Sequence, residues 1–143
     1  MVRYHERLWP SPWVFLATGL VIPASLLVFL PISMIAGVVS AITLETIVIV
    51  VLLATSVAVD VDDTTLRCGK AKIERSFVGT AVGLRGKEAT AERGVRLDAR
   101  AWLLLRGWIP GVVRIELTDA DDPTPYWLVS TRRPAELAAA LSA

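Results

Sequence analysis

From Trp13 to Val59 the chain is almost without charge: Glu45 is the one Asp, Glu, Lys, Arg or His in that stretch. Other scarcities narrow the chemistry. The single cysteine, Cys68, excludes an internal disulfide. The single histidine, His5, lies across the apolar run from it, so no thiol–imidazole pair is legible. Net charge is only +1, and from Asp60 onward basic and acidic residues nearly cancel. That balance excludes the positive excess of a nucleic-acid binder. No glycine-rich phosphate loop occurs either, because GLRG at 83–86 lacks the lysine and hydroxyl context of a nucleotide site.

What is present begins with two apolar runs. Residues 13–30 and 34–56 are each long enough for a transmembrane helix, and Pro31–Ser33 is too short a break to fold. The expected unit is an antiparallel two-helix hairpin over 13–56, with 1–12 a cytoplasmic lead-in and 57–143 a cytoplasmic β-rich domain. The first run continues into a second one rather than into a processing site, so an uncleaved segment is expected. Pro23 cannot donate to the Gly19 carbonyl and should kink span one there. Gly37 and Ala41 form a small-xxx-small pair that permits close helix approach. Trp9 and Trp13 bracket two prolines at the start of span one, where an interfacial anchor is expected. Arg3 and Arg7 precede the spans, Arg67, Lys70 and Lys72 follow them, and the break carries no basic residue. The positive-inside rule then places both termini in the cytoplasm of a multi-pass plasma-membrane protein.

Beyond Ser56 the hydrophobic period switches to two. Val57, Val59 and Val61 alternate, as do Leu66 and Cys68 before Gly69 and Ala71 and Ile73 after it. Further strands are expected at 77–84, 101–106, 112–118 and 126–132, with a loop or short helix around 87–92. In VVRIELT, Val113, Ile115 and Leu117 oppose Arg114 and Glu116. Pro134 starts a final helix, 134–142, with Leu137 and Leu141 on one side. The expected fold class is therefore an α+β membrane protein. A two-helix transmembrane hairpin precedes a small antiparallel β-barrel or bent sheet capped by the C-terminal helix.

The early segment YHERLWPSPW and the late segment RIELTDADDPTPYWLVSTRRPAELAAAL carry a resemblance over essentially the whole chain. Together with the two spans they resemble the small two-span actinobacterial membrane proteins known as a domain of unknown function, DUF3093. The element order is also similar to bacterial pleckstrin-homology-like domains on paired helices, an analogy of architecture alone. The family implies no activity that maps onto residues here.

Several residues stand out. Glu45, in the middle of span two, should be protonated, paired or turned to a protein interior. Its depth matches Ile22 to Ser25, so the Gly19 carbonyl freed by Pro23, or Ser25, is an expected partner; self-association or another membrane protein is the alternative. Lys70, Lys72, Arg75, Arg132 and Arg133 form a candidate lipid-facing or partner-facing surface, with Trp108 the tryptophan expected to be exposed. Asp119, Asp121 and Asp122 lack the glycine and later glutamate of a calcium loop. No nucleophile–base pair or metal-ligand cluster is legible, so neither catalysis nor a cofactor is expected. The reading is a membrane-anchored, non-enzymatic scaffold or accessory subunit that binds a partner protein at the cytoplasmic face. Its alternatives are an anionic-lipid-binding domain of pleckstrin-homology-like type and, less favoured, an enzyme. Membrane lipid and another membrane protein or a second copy are the expected partners, and nucleic acid is not.

Overall fold

The computed structural model describes residues 1–143. They form two units: Trp9–Ser56, and Met1–Leu8 together with Val57–Ala143.

The first unit holds three helices: α1 (Pro12–Thr18), α2 (Val21–Phe29) and α3 (Met34–Ala54). Pro12 occupies the first turn of α1, where a missing N–H costs nothing. α1 and α2 are one apolar rod interrupted at Gly19–Leu20. Pro23 has no N–H for the Gly19 carbonyl, and that oxygen instead accepts from Ile22 N at 3.2 Å, a tighter turn. Ser33 caps α3, its side chain accepting from Ala36 N at 3.4 Å. Two segments, Pro12–Phe29 and Met34–Ala54, are long and apolar enough to cross a membrane. Most of their surface faces outward: Leu16, Leu27 and Ile35 are each more than three-quarters exposed. A core helix of a water-soluble protein would hide such a face.

The second unit is built from two four-stranded sheets. Sheet A runs β1-β2-β3-β4, from β1 (Tyr4–Arg7), β2 (Ala58–Val61), β3 (Thr65–Cys68) and β4 (Ala71–Glu74), all antiparallel. Gly69, at φ +62°, is the first central residue of the two-residue β3–β4 turn, a position that favours glycine. A 3-10 turn at Arg75–Phe77 leads to sheet B, ordered β5-β7-β8-β6. Its members are β5 (Val78–Leu84), β6 (Trp102–Leu104), β7 (Val112–Leu117) and β8 (Tyr126–Ser130), with α4 (Gly86–Arg93) between β5 and β6. β6 runs parallel to β8 and the other pairings are antiparallel. The last helix is α5 (Pro134–Ser142).

The alternation read from the sequence decides the core. Val59, Val61, Leu66 and Cys68 of sheet A meet Val113, Ile115, Trp127 and Val129 of sheet B, with Leu137 and Leu141 of α5. The opposite face of sheet B is covered as well: Val112, Tyr126 and Leu128 pack with Ala89 of α4. β8 is accordingly buried along its whole length.

Two expectations need correction. No sheet closes into a barrel, and the pleckstrin-homology-like closure goes with it. The 3-10 turn at Arg75–Phe77 breaks the ladder between β4 and β5, so the chain folds into two open sheets. The lead-in 1–12 is also divided: Tyr4–Arg7 is an edge strand paired with β2 in the register Tyr4↔Val61 to Arg7↔Ala58. The apolar run is thus an insertion inside an antiparallel strand pair.

Candidate functional site

The strand alternation of β1 turns Tyr4, Glu6 and Leu8 inward and His5 and Arg7 outward. A buried carboxylate must be compensated by donors, and Glu6 is. Tyr4 Oη donates to Glu6 Oε2 at 2.6 Å, Thr131 Oγ1 donates to the same oxygen at 2.5 Å, and Arg132 N donates to Oε1 at 3.0 Å. Thr131 Oγ1 accepts in turn from Arg133 N at 3.0 Å. The Arg133 guanidinium stacks over the Tyr4 ring at 4.8 Å and donates to the His5 carbonyl at 2.8 Å. Burial, with the Glu6 carboxylate as hydrogen-bond partner, pushes the Tyr4 phenol up to about 12. Outside, His5 Nδ1 pairs with Asp60 Oδ1. These bonds tie the strand before the apolar run to the segment leading into α5.

This cluster was missed at the level of sequence. The alternation in YHERL was its one signal, and a glutamate on the apolar side of a short strand reads as a solvated residue until its partners are known.

A second charged cluster holds α4 on sheet B. Glu92, almost wholly buried, accepts from Arg114 Nη1 at 3.3 Å and lies 3.6 Å from Arg96, which bonds Glu88 at 2.6 Å. Arg114 also stacks on Tyr126 at 4.2 Å, and Tyr126 Oη accepts from Asp98 N at 2.8 Å. Arg93 Nη2 donates to the carbonyls of Ile109 and Pro110 at 2.7 and 2.8 Å, and burial lowers its pKa. These contacts fix the loop Gly107–Gly111 and serve packing.

The expected basic surface does not assemble as one patch. Arg75 Nη2 donates to the Ala140 and Leu141 carbonyls at 3.1 and 2.9 Å, capping the C-terminal end of α5. Arg133 is engaged by Tyr4, His5 and Glu136. Arg132 contributes its N–H to Glu6 and its carbonyl to Arg85. Trp108 packs, partly buried, against the main core. Lys70 and Lys72 stay exposed on the β3–β4 hairpin, next to Arg67. The Asp119–Asp122 turn is held by its own backbone, Asp119 Oδ1 accepting from Asp121 N at 3.0 Å. No group of three or more His, Cys, Asp or Glu side chains is arranged to hold a metal ion. Cys68 is buried, and burial with the nearby Asp60 charge pushes its thiol up to about 12, the wrong direction for a nucleophile.

In the helical unit, Ser25, Gly37 and Ala41 are its buried residues at the α2–α3 contact. A methyl group on Gly37 would already sit 3.5 Å from Leu26 and 3.6 Å from the Leu30 backbone. Pro23 is exposed. Glu45 Oε1 lies 3.4 Å from Thr18 Oγ1, next to the Gly19–Leu20 break, and Oε2 is buried without a partner. Thr18 is thus the neighbour that Glu45 meets, while the Gly19 carbonyl is taken by Ile22.

One family model, described as a protein of unknown function (DUF3093), matches residues 3–141. No curated protein and no solved structure matches.

Proposed function

Because the chain belongs to the DUF3093 family, whose description assigns no activity, we propose a role from the geometry of this chain: a membrane-anchored, non-enzymatic accessory protein that presents its two-sheet domain to a protein partner at the cytoplasmic face. The observation that carries the proposal is the bond from Leu8 N to the Val57 carbonyl, 2.7 Å. Residues 8 and 57 are neighbours across the strand pair, and the whole apolar run lies between them. Such a run must leave and re-enter on one side, which fits two spans and not one. Arg3 and Arg7 before the spans and Arg67, Lys70 and Lys72 after them, against none in the break, favour the cytoplasmic side.

The non-enzymatic part rests on how the buried polar groups are used. Glu6 and Thr131 are saturated by one another and by backbone, and Glu92 by two arginines. Glu45 is read as a helix-association residue, within the hairpin or between chains: its Oε1 lies 3.4 Å from Thr18 Oγ1 and its Oε2 is enclosed by the chain itself. Polar groups in that setting drive helix association. The test is cross-linking in native membranes with Glu45→Gln and Glu45→Leu. A protein or second copy cross-linked to the wild type and to Glu45→Gln, and lost with Glu45→Leu, supports the reading. Equal cross-linking by all three removes Glu45 from it.

A further inference from the structure

The chain has three lysines, Lys70, Lys72 and Lys87, and two of them share one exposed sheet face with an arginine. β3 and β4 pair with Arg67 directly opposite Lys72, both exposed. Like charges directly opposite each other destabilise a strand pair, and neither residue forms an ion pair. Lys70, in the turn, forms none either. Asp60 is the acidic neighbour of Arg67 in the register, and it is bound to His5.

The charge is also ordered along the strands. The turn at Gly69–Lys70 abuts the place where the apolar run ends: Gly69 N donates to the Ala58 carbonyl at 2.8 Å, and a Cβ at Gly69 would lie 2.5 Å from Val57. Arg7 pairs with Ala58 in the same row. Arg67 and Lys72 follow two residues further along, about 7 Å at the rise of a strand, and Lys72 also borders Asp63 and Glu74. At the other end the charges balance: Asp63 is paired with Arg3 and the N-terminal amine, and Asp62 and Glu74 lie near Arg75. Sheet A is therefore basic at the end that holds Leu8 and Val57 and balanced at the other.

We infer that Arg67, Lys70 and Lys72 form a contact for anionic phospholipid headgroups, laid against the bilayer in which the hairpin is anchored. The contact orients the domain as well as tethering it. It rests on the membrane-anchored reading above and is separable from it. A polyanionic surface resolves the unpaired Arg67–Lys72 juxtaposition, and the order of charge along the strands matches a surface on the side where the chain leaves the sheet. A soluble acidic partner would not need the basic end to be the one where Leu8 and Val57 leave the sheet.

The test is lysine footprinting of the full chain reconstituted in nanodiscs, either of phosphatidylcholine alone or with a quarter phosphatidylglycerol. Lys87, on α4 and away from this face, is the control within the same chain. Acetylation of Lys70 and Lys72, read by mass spectrometry, is expected to slow by about fivefold or more in the anionic discs, with Lys87 unchanged. The protection should vanish in about 0.5 M salt and weaken in Arg67→Gln. Equal rates in the two lipids, or equal protection of all three lysines, overturn the headgroup contact while leaving the anchor in place. Failure of the chain to enter either disc overturns the anchor and this contact together.

Discussion

Thr131 Oγ1 donates to Glu6 Oε2 at 2.5 Å, joining the strand before the apolar run to the segment that starts the last helix. The acid sits where the alternation of β1 puts an apolar side chain, and its donors come from Tyr4, Thr131 and the Arg132 backbone. Glu6→Ala should therefore leave buried donors without an acceptor and cost about 2–4 kcal/mol. Urea unfolding of the full chain in mild detergent, followed by tryptophan fluorescence, measures it; a loss below about 0.5 kcal/mol would mean that water replaces the carboxylate.

The same strand makes the proposed topology testable. Cysteines placed singly at Val2 and Ala143 should react together with a membrane-impermeant maleimide, both from the same side of sealed vesicles. Native Cys68 stays silent because it is buried. Opposite sidedness of the two labels would exclude a two-span hairpin.

Cys68 gives a pH-resolved readout of the fold. Its thiol is pushed up to about 12 by burial, so in the folded chain at pH 8 iodoacetamide should label it far more slowly than in urea. The sign follows from the shift: a raised acid pKa stabilises the fold below the unfolded value of about 8.5, and that contribution declines as pH rises toward about 12. Rapid labelling in the folded state would place Cys68 outside the core.

Gly69 carries two constraints at once. Its φ is +62° and an added Cβ would lie 2.5 Å from Val57. Gly69→Ala is expected to lower stability by about 1–3 kcal/mol, through backbone strain and displacement of Val57. Gly107→Ala, where no heavy atom lies within 4 Å, is the matched control and should change thermal stability little.

Asp62 predicts an acid limb. Its Oδ1 accepts from Thr64 N and Thr65 N at 2.9 and 2.7 Å and its Oδ2 from Thr65 Oγ1 at 2.8 Å, and these bonds hold the carboxyl well below the usual carboxylate range. A depressed carboxylate pKa stabilises the fold above the unfolded value, near 3.9, and that support is lost as pH falls below it. Melting temperature should drop between about pH 5 and pH 2, less steeply in Asp62→Asn. An identical acid profile in that variant would assign the loss to other carboxylates.

Much of the fold is periodic and local, and the sequence by itself determined that part. The almost uncharged run with Pro23 in its first half gives two helical segments and a break beside Gly19, because chain sterics and composition act within a few residues. The alternations around Val59, Leu66, Ile115 and Val129 fix which faces are inward before any partner is known. Only the tertiary structure decided what pairs with what. Tyr4–Arg7 becomes a strand because Ala58–Val61 lies beside it, and Glu6 is buried because Thr131 and Arg132 come from the far end of the chain. The barrel was wrong for the same reason, since closure depends on which edges meet and no local pattern records it. Arg75 and Arg133, read as free surface cations, are consumed by carbonyls of α5 and β1 that folding brings within 3.1 Å. Local sterics write helices and strand faces into sequence; long-range register and the destination of a charged side chain are settled only when distant segments compete for the same donors and acceptors.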